Sequence, residues 1–229
     1  MICQNQDQKR DQNILSEETN TKSNIDSYIT NRESTLLSKC IADVAANGPT
    51  LYYHNFNHAI KTRDQARYYA ITENIPSSDY FILDTASIMH DRFCVPGKAG
   101  QNELDTANYV RNFLPSIGYS IDETEKIAKL IEVTDVTKEP KNILEKIIKD
   151  SDTANLGTDE FFEACEKLYL ETKKYLNPNL TKIQWYQGTL HFMSMHRYYT
   201  ATALKNAIPK KETNMISLKK KIDKMLEII

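Results

Sequence analysis

Apolar residues recur at spacings of three and four in segment after segment, and no stretch alternates apolar with polar convincingly enough to read as a strand. That period is the α-helix's 3.6-residue repeat, and it predicts an all-α helical bundle. Leu36, Leu37, Cys40, Ile41 and Val44 form a first stripe, stopped by Asn47-Gly48-Pro49. A second helix starts near Asn55 or Asn57, both good caps, and runs to the stop at Asn74-Ile75-Pro76. Ser77-Ser78-Asp79 opens a third, from Tyr80 to His90, which carries Phe81, Ile82, Leu83, Ala86, Ile88 and Met89 on most of its faces. A helix apolar all round belongs at the centre of a bundle. Pro96, Gly97 and Gly100 make residues 92–101 a loop. Further helices are expected at about 102–115, 121–134, 141–153, 159–176 and 180–206.

The 229 residues suit one domain with appendages, and they bury a core without needing staples. Residues 1–25 are almost wholly polar and cannot offset their ordering entropy by burial, so they read as a disordered tail. Residues 26–208 read as the helical domain. Residues 209–229 read as a C-terminal amphipathic helix, with Ile222, Met225, Leu226 and Ile229 between lysines. That helix packs on the domain or on a second copy, which leaves a homodimer open. A net charge of −2 gives no footprint for nucleic acid, though a small anionic substrate can still meet a metal's local charge. Cys3, Cys40, Cys94 and Cys165 are scattered and read as free thiols of a reducing compartment. No apolar run is long enough to cross a bilayer, and the start lacks a secretory pattern. Cytoplasmic residence is the default expectation, with export by a route that uses no cleavable signal left open.

Three places concentrate chemistry. His54 and His58 are four apart, which on a helix puts them on one face. His90-Asp91 ends the apolar third helix, where a buried charge needs a partner or a metal. Lys149-Asp150-Ser151-Asp152 ends an amphipathic helix bearing Ile143, Leu144, Ile147 and Ile148. The rhythm puts Ser151 and Asp152 near the buried side and Asp150 toward the flank. Either aspartate also suits the cap of the next helix, from Thr158 onward. Mixed imidazole and carboxylate donors suit Mn²⁺, Fe²⁺, Zn²⁺, Ni²⁺ or Co²⁺. The loop residues Arg92, Lys98, Gln101 and Asn102 could bind phosphate there or simply be solvated. His191 and His196 read as structural or surface residues.

The order His, His-Asp, Asp across separate helices resembles the HD superfamily of metal-dependent phosphohydrolases over roughly residues 30–205. Tyr53-His54-Asn55-Phe56-Asn57-His58-Ala59 is similar to a signature of cyclic-nucleotide phosphodiesterases and of small bacterial HD phosphohydrolases, and Asp152-Thr153-Ala154-Asn155-Leu156-Gly157 to the segment that supplies their last aspartate. Asn102-Glu103 looks like the small bacterial proteins. The resemblance implies His58, His90, Asp91 and Asp152 as ligands of a divalent metal (Mn, Fe, Ni, Co, Zn or Mg), with Asp91 free to bridge a second ion. It implies His54 as general acid, metal-bound hydroxide as nucleophile and Glu103 as orienter of that water. The substrate it implies is a small phosphoester, such as a nucleotide or cyclic nucleotide; the loop's own Arg92, Lys98 and Asn102 are the expected further contacts to it. Gln187 is similar to the phosphodiesterases' base-reading glutamine, although its spacing is loose.

Those enzymes carry HDxxH, whereas this chain reads His90-Asp91-Arg92-Phe93-Cys94, so the outer part of a two-ion site lacks one of its histidines. The same cysteine weighs against a di-iron oxygenase, an activity some HD folds carry. A metal-clipped sensor or binding module is a third reading, which the presence of His54 disfavours.

Overall fold

The computed structural model describes residues 30–227, and the expected tail at 1–25 lies outside them. The chain divides into a unit ending at Thr35 and a second unit, Leu36–Ile229. Of the first unit, only the start of one helix is described. It is closed by a capping box in which Thr30 and Glu33 bond each other's backbone amides at 2.8 and 3.2 Å.

Among the described residues there are ten α-helices and no strand. They are α1 Asn31–Asn47, α2 Phe56–Thr72, α3 Tyr80–Met89, α4 Gln101–Ile117, α5 Ile121–Glu132, α6 Ile143–Asp152, α7 Phe161–Tyr175, α8 Lys182–Met195, α9 Ala201–Asn206 and α10 Ile208–Leu226. No helix is long and apolar enough to cross a membrane. Helix starts follow from the caps: Ser120, Asn142, Thr181 and Thr200 each accept a hydrogen bond from an amide in the first turn of the helix they precede. At the end of α4, Gly118 takes φ +115°, a left-handed conformation that side chains other than glycine rarely adopt.

Helix α3 is the axis of the bundle. Every residue from Phe81 to Met89 is buried, and the helix packs on α2, α5 and α6. Its one charged residue, Asp84, is held by the Arg67 guanidinium at 2.5–2.8 Å. A second apolar cluster gathers Leu156, Phe161, Cys165, Tyr186, Met193, Leu218 and Ile222 from the other side of the unit. There α10 packs on α8.

The expected helix at 180–206 is in fact two helices. α8 stops at Met195, and the chain runs extended through His196 to the cap at Thr200. Buried Asp150 causes the break. Its carboxylate accepts the Tyr199 and Thr200 amides and the Thr200 hydroxyl at 2.8–3.1 Å. Bonds reaching across 50 residues outweigh a continuous apolar stripe.

Candidate metal centre

Asn55 is the joint that aims the first histidine. It caps α2, its side-chain oxygen accepting the Asn57 and His58 amides at 3.0 and 3.3 Å. Its amide group donates back to the Leu51 and Tyr52 carbonyls. His58 thus sits in the first turn of α2. His54 lies before the cap, in a bend, so the two histidines do not share a helix face as their spacing suggests. The bend nonetheless leaves their ring centroids 5.8 Å apart. His90 ends α3 and is almost fully buried. Its Nδ1 donates to the Ser87 carbonyl at 2.8 Å, which fixes the tautomer and leaves Nε2 to point inward.

Four side chains from three helix ends meet at one place. His58 Nε2 stands 3.0 Å from Asp152 Oδ1 and 3.4 Å from Asp91 Oδ2. His90 Nε2 stands 3.2 and 3.1 Å from the same two atoms, and the imidazole nitrogens are 3.3 Å apart. For bonds of about 2.0–2.1 Å, donors on adjacent corners are about 2.8–3.0 Å apart in an octahedron and about 3.3–3.4 Å apart in a tetrahedron, and the distances here span those two values. His58, His90 and Asp152 therefore form a group able to hold a metal ion, their ligand atoms all within 4.8 Å of one another. Asp91 Oδ2 adds an independent sign. It is buried without a hydrogen-bond partner although both imidazoles are beside it, as fits an oxygen aimed at a shared point rather than at an N–H.

The electrostatics agree. Burial works against charge on His90, but Asp91 and then Asp152 outweigh it and hold its pKa well above the ordinary value. Burial also resists charge on Asp152, yet His90 and the hydrogen bond from His58 hold it well below the usual carboxylate range. Asp91 is held at about 2, burial again being outweighed, here by His90 and His54. Two carboxylates converging on two imidazoles thus create a strong local preference for positive charge.

Beside the cluster, His54 is braced by Glu171, a residue of α7 that sequence reasoning missed. Glu171 is buried, and one oxygen meets His54 Nδ1 at 2.5 Å. The other accepts the Tyr53 and His54 amides at 3.0 and 3.2 Å. Its one signal in the sequence is a glutamate in register with the buried Ala164 and the cavity-lining Leu168 of α7. Cys94 hydrogen-bonds to His54 from the loop, and burial raises its pKa, so it is a thiol. Burial opposes a charged His54, but Asp91, Cys94 and Glu171 outweigh it and keep its pKa well above the ordinary value.

The other expected contacts fall elsewhere. Glu103 bonds the Gly100 amide at 2.6 Å and caps its own helix, so that oxygen is not turned to the cluster. Arg92 pairs with Asp43 at 2.7 Å and lies over the Phe93 and Tyr109 rings. Asn102 clamps the loop through both the N–H and C=O of Val95. Lys98 is exposed. Gln187 is exposed and does not line the cavity beside the cluster, whereas Gln184, a turn earlier, does. Asp150 is more deeply buried than Asp152, the reverse of what the helical rhythm gives, because it anchors Tyr199 and Thr200.

That cavity has a volume of about 490 Å³. It begins at His54 and Asp152 and continues between α7 and α8. Compared with family models, curated proteins and solved structures, the chain finds no match.

Proposed function

We propose that this chain is a divalent-metal-dependent phosphohydrolase of the HD type, acting on a small phosphomonoester or phosphodiester. The observation that carries the reading is the convergence of His58, His90, Asp91 and Asp152 on one point with His54 beside it. The mixed donor set fits Mn²⁺, Fe²⁺, Co²⁺, Ni²⁺ or Zn²⁺, with Mg²⁺ as a further candidate. When bound there, a divalent ion supplies Lewis-acid activation of the phosphoryl group and of water.

The rest is work for the chain's own side chains. Asp91 and Asp152 hold their negative charge across the physiological range, so they bind a cation without first losing a proton. His90 is locked by Ser87 and cannot swing away. His54 retains a proton near neutrality, because Asp91 and Glu171 outweigh its burial. Glu171 engages Nδ1, so the proton for the leaving oxygen comes from Nε2, once the Cys94 thiol that also bonds this imidazole gives way to substrate. Retention of a poised proton donor favours catalysis over a metal clip with no reaction to perform.

The test is a screen of purified, metal-stripped protein over phosphomonoesters and nucleoside and cyclic-nucleotide phosphoesters, with each ion added back. Hydrolysis should appear only with metal. Asp91→Ala should remove both turnover and metal content. Equal activity in stripped and reloaded protein, or no hydrolysis with any ion by a chain that binds metal, would falsify the reading.

A further inference from the structure

The cavity running from the cluster has a composition that selects what can enter it. Tyr53, Phe161, Trp185 and Phe192 bring four rings to its wall, and Leu156, Leu168 and Leu180 fill between them. Trp185 donates its indole N–H to the Cys165 carbonyl at 3.0 Å. Its polar edge is thus satisfied, and what it offers the cavity is apolar ring. Among the described lining side chains only Asp152 and His54 carry a charge near neutrality, and both stand at the cluster end. No lysine or arginine among the described residues lines the cavity. Lys182 of α8 is engaged with Glu166 at 2.6 Å and lies over the Tyr169 and Tyr186 rings. A second phosphate or other anionic group inside would lose its hydration with no cation to replace it.

Resting on the phosphohydrolase reading, we infer that this cavity receives the alcohol portion of the substrate, and that this portion is uncharged and carries a flat ring. The ring stacks among aromatic side chains, where such contacts add about 0.5–1.5 kcal/mol beyond area burial. Asn155 lines the cavity and its side chain makes no hydrogen bond among the described residues, so it offers a neutral donor and acceptor to a polar edge of that ring. A volume of about 490 Å³ lies within the roughly 300–1,000 Å³ of small-molecule sites.

The structure provides two tools for the test. Trp185 is the only tryptophan in the chain, so its fluorescence reports on the cavity alone. Gly188 lines the cavity, and a Cβ built there meets nothing within 4 Å, so Gly188→Phe can narrow the cavity without straining the fold. Four phosphonates that cannot be hydrolysed are titrated calorimetrically into the metal-loaded full chain: methyl, n-hexyl, phenyl and para-sulfonatophenyl. Phenylphosphonate should bind at least ten-fold more tightly than each of the other three and should change the Trp185 signal saturably. Gly188→Phe should erase that advantage while leaving methylphosphonate affinity and melting temperature unchanged. In metal-stripped protein, benzyl alcohol should perturb Trp185 in the parent chain and much less in Gly188→Phe.

An equal or tighter grip on the sulfonated ring overturns the claim that the group is uncharged. Tighter hexyl binding overturns the claim that it is a ring. A phenyl advantage that survives Gly188→Phe removes the cavity from the account. Binding needs no turnover, so the ligand order stays readable if no phosphoester is hydrolysed. A failed order in a chain that does hydrolyse phosphoesters sinks this inference alone.

Discussion

His54 hangs between a carboxylate and a thiol, and each neighbour gives its imidazole a measurable consequence. His54→Ala should keep metal content unchanged and lower kcat by roughly 10²–10⁴, the usual worth of general acid catalysis, when assayed on a substrate with a poor leaving group. Undiminished turnover would remove His54 from the reaction. Glu171 favours the protonated imidazole, so Glu171→Gln should lower the pKa of His54. The alkaline limb of the kcat–pH profile, where the donor loses its proton, should then move to lower pH. His196 gives a second signature. Burial, followed by the nearby Lys211 ammonium, pushes its pKa down to about 4. Between about pH 6.5 and 4 the unfolded chain binds a proton that the folded chain refuses, so stability falls as pH falls through that window, by up to about 3 kcal/mol. His196→Gln should flatten the dependence, read by urea unfolding at each pH. The histidines and Asp152 were legible in the sequence because their order and flanking residues form a pattern. Glu171 was not, since its partner lies 117 residues away and nothing local marks the pairing. Arg92 and Asn102 looked like phosphate ligands only while Asp43 and the Val95 backbone were out of view.

At the level of helices, the buried pair Arg67–Asp84 ties α2 to the central α3. Removing one member strands the other's charge inside the core, which typically costs about 3–5 kcal/mol. Arg67→Ala should therefore lower unfolding free energy by about that amount in a denaturant titration, and a change under about 1 kcal/mol would contradict it. At Gly157 the limit is space: a Cβ there would stand 2.7 Å from the Ala207 carbonyl oxygen. Gly157→Ala should cost about 1–3 kcal/mol, as overpacking does. Helix positions were largely readable from period and caps. Asn47, Asn55, Tyr80 and Ile121 begin or bound elements where the pattern puts them. The break at His196–Thr200 was not, because the apolar pattern runs on through it and the force that interrupts it comes from Asp150 on α6.

Across the whole unit, the candidate ion joins the ends of α2, α3 and α6, so binding it couples three helices. An ion present at a hundred times its dissociation constant stabilises the folded state by about 2.7 kcal/mol. For a chain of this size that raises the melting temperature by about 5–10 °C. Calorimetric scans with and without chelator should show the rise in the parent chain and lose it in Asp91→Ala.

The last long helix grips the segment that follows Asp152. Lys211 bonds His196, which bonds Thr153, and Asn214 bonds the Leu156 and Thr158 carbonyls at 3.0 and 2.9 Å. A handle on the candidate site's affinity for a cation therefore sits tens of residues downstream of His58, His90, Asp91 and Asp152: whatever peels α10 away, whether a bound protein or a deletion, should loosen that site without touching any of the four side chains that form it.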